Sequence, residues 1–223
     1  MSTSSAGSRR DAQRKALLDA ASEMLMHGGP EAISLRKLAA KVGTSTMAVY
    51  TSFGGKDGLI TALFEEAFDR LTVAQQAAER PAEPLLWLAN LSRAYRDFAL
   101  GNPSYYALMI SATLPVPASI RHKEPTADEP TARTIASHPS YQNLLDAVNA
   151  CMAEGSMPRD ANPTVLADAL WATVHGLCSL ELAGFHESAE EAAERFSVTT
   201  GAVLRGLLTP EGLKKYESFT QAT

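Results

Sequence analysis

Side chains that can bond another molecule crowd into one stretch, Ser34 to Lys56, SLRKLAAKVGTSTMAVYTSFGGK. Its pattern reads as two short helices joined by a tight turn at Gly43. That is a helix-turn-helix, in which the second helix enters a DNA major groove. The outward face near the start of that second helix offers Ser45, Thr46, Met47 and Ala48, with Thr44 just before them. Ser and Thr hydroxyls bond base edges, and Met and Ala contact a thymine methyl. Few of these residues make bidentate base contacts, so part of the selectivity must come from DNA shape. Tyr50 can bring its hydroxyl to a phosphate. Lys56, with the backbone amides that open the next helix, can hold another. Arg36 can reach a phosphate or a guanine.

Other constellations are weaker. His175, Cys178 and Glu181 stand at i, i+3 and i+6, close enough for the first two to share a metal. Soft-metal sites usually need four ligands, and the other thiol, Cys151, is distant in sequence. A buried helix with a satisfied His and an inert Cys is the favoured reading, so no metal is expected. Gly54-Gly55-Lys56 lacks the spacing of a phosphate loop and follows no strand. No Gly-x-Ser-x-Gly elbow occurs. The pairs Glu65-Glu66 and Glu190-Glu191 read as solvated helix faces. Neither an enzyme nor a cofactor is expected.

The elements that would position these residues are all helical. Residues 1–8 read as a polar tail, and the first amphipathic helix as 11–27, ended by Gly28-Gly29-Pro30. Two short helices follow over 34–42 and 45–52. A long one opens at Asp57 and runs to about Arg80, where Pro81 and Pro84 mark a junction. Further helices read over 85–100, 103–111, 140–153, 163–184 and 188–208. Residues 113–139 carry five prolines and read as a long irregular connection. No segment alternates with period two, so no sheet is expected. The expected class is all-α: a three-helix head (10–56), a connecting helix (57–80) and a larger helical domain (81–210).

Composition bounds the function. The 223 residues are 45% hydrophobic and 20% charged, ordinary for a globular chain. The longest apolar runs are a few residues, against the ~20 that span a membrane, and no secretory signal is visible. Two cysteines are too few for a disulfide framework. The expectation is a cytoplasmic protein without a membrane partner. The net charge of −5 alone argues against a nucleic-acid ligand. Its distribution argues the other way. Residues 1–58 hold eight basic and five acidic residues, and residues 59–223 hold twelve and twenty. A basic head on an acidic body is what a chain meeting a polyanion at one end would show.

The stretch 34–60, SLRKLAAKVGTSTMAVYTSFGGKDGLI, resembles the TetR family of bacterial one-component transcriptional regulators. Turn glycine, the Tyr50-x-x-Phe53 pair, Gly54-Gly55-Lys56 and the Leu-rich helix carry the resemblance, and helix 11–27 fits the family's first helix. The likeness covers residues 10–65. It implies that Arg36, Thr46, Met47, Tyr50, Ser52 and Lys56 occupy DNA-contacting positions. The family commonly has Gly or Ala, then Thr, where this chain has Met47-Ala48. Trp171-Ala172-Thr173-Val174-His175-Gly176 is similar to a Trp…His-Gly element of one TetR subgroup. The resemblance also implies a homodimer through the last two long helices, a palindromic operator on double-stranded DNA, and a small-molecule effector acting on a repressor. The 163–184 helix is apolar nearly all round and must be covered on several sides. Trp87, Tyr95, Phe98, Tyr105, Tyr106, Met109, Leu144, Val148, Trp171, His175 and Cys178 are the candidate lining of a largely apolar effector pocket. The alternatives are a helical binding protein or enzyme whose head no longer reads DNA, and a metal or redox sensor.

Overall fold

Prolines at N1 punctuate this chain. Pro84, Pro103, Pro139, Pro163 and Pro210 each open a helix, where the missing N–H costs nothing and φ is preset. A computed structural model describes residues 3–109 and 138–220. In chain order it contains α1 (Thr3–Gly28), a 3-10 turn (Pro30–Ala32), α2 (Leu35–Val42), α3 (Thr46–Phe53) and α4 (Lys56–Ala77). Then come α5 (Pro84–Gly101), α6 (Pro103–Met109), α7 (Pro139–Glu154), α8 (Pro163–Leu182), α9 (Ala189–Leu207) and α10 (Pro210–Thr220). No strand occurs among the described residues.

Two ends differ from the sequence expectation. α1 begins at Thr3, inside the stretch read as a tail. Once packing anchors the later turns, each added residue fixes only its own dihedrals and gains a hydrogen bond. α10 has no counterpart among the expected helices. Its apolar residues Leu213, Tyr216 and Phe219, three apart, are only half-buried, and Gly212 alone is fully buried. Tertiary bonds hold it instead: the Thr209 hydroxyl donates to the Gly155 carbonyl at 2.7 Å, and Lys215 pairs with Glu154 at 3.2 Å. Of the expected irregular connection, residues 113–137 lie outside the described residues.

The described residues form two compact units. One runs up to Arg70 and takes in the stretch from Asn102, so α6 groups with α1 rather than with its chain neighbours. Its core is Leu17, Leu18, Ala21, Leu38, Val49, Leu59 and Leu63, all fully excluded from solvent. A polar clasp joins α1, α4 and α6. Arg70 donates to Asp19 at 2.6 Å and to Glu66 at 2.7 Å. The Tyr105 hydroxyl donates to the same Asp19 at 2.9 Å, and the Arg70 guanidinium lies 4.1 Å from the Tyr105 ring centre. Burial pushes the Tyr105 hydroxyl far above its ordinary range, so it remains a donor.

The other unit holds residues 71–101 and those described after 137. α5, α7 and α8 pack on one another and α9 packs on α8. Leu88, Leu91, Tyr95, Phe98, Val148, Cys151, Val174, Cys178 and Phe196 fill the interior. Arg96 on α5 makes a bidentate pair with Glu181 on α8, at 2.6 and 2.8 Å. α8 has the length and mean hydropathy of a membrane span. Its polar residues are nonetheless engaged by protein: Asp168 by Tyr141, Glu181 by Arg96, and His175 by Tyr95. A helix so partnered belongs to a bundle.

Gly58 sits in the first turn of α4 with the Phe53 carbonyl oxygen 1.8 Å from where a Cβ would stand. The obstacle is backbone and cannot rotate away. Gly58→Ala is expected to destabilise the chain by about 1–3 kcal/mol, read as a lower midpoint of thermal unfolding. An unchanged midpoint would show that α3 and α4 are not held this closely.

Candidate nucleic-acid interface

α2 and α3 are each eight residues long, too short to persist alone. Capping and burial hold them. Ser34 caps α2, its hydroxyl accepting the Lys37 N–H at 3.4 Å. Gly43 ends α2 with φ of 72°, the left-handed conformation that only glycine adopts without strain. Its N–H reaches Ala40, and the Thr44 N–H reaches Ala39. These two bonds satisfy carbonyls at the helix end and fix the turn. Ser45 then caps α3, accepting the Ala48 N–H at 3.1 Å. Val49 and Phe53, four apart, are buried.

That burial decides what faces outward. Met47 is 72% exposed and Tyr50 50% exposed. Arg36 and Ser45 are exposed, and Thr44, Thr46 and Lys56 half-exposed. The fold therefore gathers Arg36, Thr44, Ser45, Thr46, Met47, Tyr50, Ser52 and Lys56 in one unit, along α2, the turn, α3 and the first residue of α4.

The hydroxyls are not equivalent. Ser52 already donates to the Ala48 carbonyl at 2.9 Å. A phosphate oxygen only accepts, so Ser52 in this rotamer has nothing to give it. Ser45 and Thr44 accept bonds from protein N–H groups and keep their own O–H. The Thr44 partner is Gln13 of α1, whose amide donates at 2.8 Å. Sequence reasoning misses Gln13, because no local pattern links residues 31 apart. Arg14, beside it, places its guanidinium 5.3 Å from the Phe53 ring centre.

The candidate effector residues divide. Tyr95, Trp171 and His175 come together in the second unit. The Trp171 indole N–H donates to the Tyr95 hydroxyl at 3.4 Å, and that hydroxyl lies 3.0 Å from His175 Nδ1. When Tyr95 donates to Nδ1, neutral His175 carries its proton on Nε2. Tyr141 meets the Trp171 ring edge-on at 6.3 Å. Phe98, Val148 and Cys178 are buried in the same unit, and Leu144 is half-buried. Trp87 instead lies under the Arg80 guanidinium, 3.8 Å from its ring centre. Tyr105, Tyr106 and Met109 are on α6, in the first unit. His175 bonds Tyr95, whereas Glu181 is paired with Arg96, whose charge also acts on Cys178. Burial pushes the Cys178 and Cys151 thiols up to about 12, so neither is a thiolate at neutral pH.

A fixed helix-turn-helix with a hydroxyl-bearing outer face, carried on an all-helical body, defines the class: a DNA-binding transcriptional regulator. Known proteins agree. Residues 17–63 match the pattern described as bacterial regulatory proteins of the tetR family. Residues 88–209, over half the chain, match the tetracyclin repressor-like C-terminal domain. The chain belongs to the TetR family. It is 26% identical over 208 residues to the HTH-type transcriptional regulator Rv1816 of Mycobacterium tuberculosis, covering 80% of this chain and 85% of that one. It is also similar to a solved protein of unknown function from Rhodococcus sp. RHA1: 28% identity, TM-score 0.66, 88% of this chain and 96% of the other. The regulator PfmR of Thermus thermophilus shares the fold at 20% identity and TM-score 0.63, over 85% and 97% of the two chains.

His175 gives this geometry a pH signature. Burial lowers its pKa below the ordinary value of 6.5. The unfolded chain takes up a proton near that value and the folded chain does not, so stability falls on acidification below it. Denaturant midpoints should drop between pH 7 and pH 5, and His175→Asn should flatten that drop. Equal slopes in both proteins would place the sensitivity elsewhere.

Proposed function

We propose that this regulator is a ligand-responsive repressor that binds a palindromic operator as a homodimer. The observation that carries the reading is the outward face of α3. Met47 and Tyr50 stand clear of the core that Val49 and Phe53 enter, flanked by Arg36 and Lys56. Thr44, Ser45 and Thr46 with Met47 would meet base edges. Tyr50, Arg36 and Lys56 would meet phosphates. Ser52 would contact DNA only after its hydroxyl leaves the Ala48 carbonyl.

Exposed apolar side chains support the dimer. Val165, Leu180 and Leu182 on α8, Phe185 just after it and Val198 on α9 all face solvent in the single chain. Only 22% of the apolar window of α8 is buried. Two copies facing through α8 and α9 would cover these residues in an isologous four-helix contact. The paired heads would then read half-sites about 34–36 Å apart or a multiple of that. Buried Tyr95 with half-buried Trp171 and His175 supports a largely apolar effector with one or two polar atoms. Such a ligand switches the protein only if it binds the non-operator state better. A regulator of this kind works in the cytoplasm, beside the chromosome.

Mobility-shift titration on DNA upstream of the chain's own coding sequence, and on a randomised pool, tests the reading. Binding to neither at low salt would end it. Lys56→Ala should weaken binding to all sequences alike and reduce the salt slope by about 0.9 for each phosphate it no longer neutralises. An unaltered slope would remove Lys56 from the interface. Phe185→Asp with Val198→Asp should give monomers in sedimentation and abolish operator binding. Dimers that survive both changes would place the interface on another face.

A further inference from the structure

The cations of the head fall in two groups. One is the helix-turn-helix itself, where residues 34–56 hold Arg36, Lys37, Lys41 and Lys56 and no acidic residue, offset by Asp19, Glu23 and Glu31 before it and Asp57 after it. Lys41 is moreover paired with Glu23 at 2.6 Å. The whole positive excess of the first 58 residues comes from Arg9, Arg10, Arg14 and Lys15, with Asp11 the one acidic residue among them. All four cations lie in the amino-terminal half of α1, and Arg9, Arg10 and Lys15 are exposed.

Two contacts fix where that half of α1 runs. Glu23 meets Lys41 at the end of α2, and ten residues earlier Gln13 meets Thr44 in the turn before α3. Going from residue 23 to residue 13, α1 therefore passes from the end of α2 to the start of the reading helix. At 1.5 Å per residue it carries Arg9 about 6 Å beyond Gln13, and Thr3 about 15 Å. This arrangement does not stabilise α1 itself. The amino-terminal end of a helix is the positive end of its dipole and favours anions, yet the first turn of α1 has no acidic residue.

We propose that Arg9 and Arg10 form a second DNA-binding element. They would grip backbone phosphates outside the half-site that α3 reads, and add to the counterion release that Arg36 and Lys56 supply. The partner is double-stranded DNA, so the inference rests on the reading of the chain as a DNA-binding regulator. A helix is about 10–12 Å across and the minor groove about 6 Å wide, so α1 lies on phosphates and does not enter that groove. The contact carries affinity and footprint, not sequence choice.

The test uses the full-length chain and a duplex selected by it from a random pool. Arg9→Ala/Arg10→Ala should flatten the plot of log K against log salt by about 0.9 for each phosphate freed, roughly 3–4 for a dimer. Hydroxyl-radical protection should retreat at both outer edges of the footprint. The affinity ratio between the selected and a shuffled duplex should stay within about twofold, because phosphate contacts carry no sequence. Arg9→Lys/Arg10→Lys keeps the charge and should keep the slope, a rescue that a purely structural role would not give. An unchanged slope and footprint in the alanine variant would overturn the proposal. So would a flattened slope in the lysine variant. Absence of binding by the unaltered chain would overturn the regulator reading itself, a separate and recognisable failure.

Discussion

Two eight-residue helices cannot exist without a shared core, and that requirement governs the head. Helix nucleation is unfavourable and short helices gain too few bonds to offset it. α2 and α3 persist because Leu38, Val49 and Phe53 are buried with Leu17 and Leu18 of α1 and Leu59 and Leu63 of α4. The reading face is simply the remainder of α3 once Val49 and Phe53 have been taken inward. Its direction is thus set by packing, and its angle to α2 by the left-handed Gly43 with its two carbonyl-satisfying bonds. The close approach of Gly58 to Phe53 fixes the other end. Chemistry at Met47 or Tyr50 depends on residues that never touch a ligand.

The same unit contains a polar constraint of a different kind. Asp19 accepts from both Arg70 and Tyr105, and Arg70 also holds Glu66. Taking partly buried charges from water is costly unless each finds partners, and here each does. The result is that α6, reached only after α5, is tied to α1 and α4 by directional bonds as well as by buried Tyr106, Leu108 and Met109. Two segments far apart in the chain, α1–α4 and α6, therefore share one core. Family-level similarity runs from residue 88 through α6 without a break, so the sequence boundary and the packing boundary differ.

The legible parts of this fold are those written locally. Glycines at 28, 43 and 54 and prolines at 84, 103, 139 and 163 punctuate the chain within a few residues of the observed ends. The i, i+4 pair Val49 and Phe53 follows from spacing alone, whereas Thr44 and Ser45 both suit the cap by type and the structure uses Ser45. What spacing hides is decided by distant partners. Nothing near Ser52 says that its hydroxyl turns back to Ala48, since an exposed serine can point either way. Nothing near Gln13 says that Thr44 will receive its amide. Tyr105, Tyr106 and Met109 have the aromatic and soft character of a pocket wall, yet composition cannot tell a lining from a helix packed on α1. α10 has a short apolar spacing at Leu213, Tyr216 and Phe219, but main-chain closeness at Gly212 and a few polar bonds, which spacing does not show, seat it.

A reading helix with no charged side chain has consequences for how such a head selects DNA. Phosphate attraction is blind to sequence and raises affinity for every site together. The surface around α3 offers hydroxyls, the half-exposed Thr46 and the broad apolar side chain of Met47, with cations nearby at Arg14, Arg36, Lys37 and Lys56. Contacts of that kind strengthen only where a thymine methyl or a correctly placed base edge meets them. Removing Met47 from water contributes nothing against a mismatched groove that leaves it wet. Sequence discrimination and general grip are therefore separable in this chain. On the proposed reading the first would rest with residues 44–50, where charge is absent, and the second with cations that lie off that face. The acidic remainder of the chain, twelve basic against twenty acidic residues beyond position 58, adds repulsion wherever DNA approaches the wrong surface. On the proposed reading, orientation on the duplex would follow from charge before any base is read.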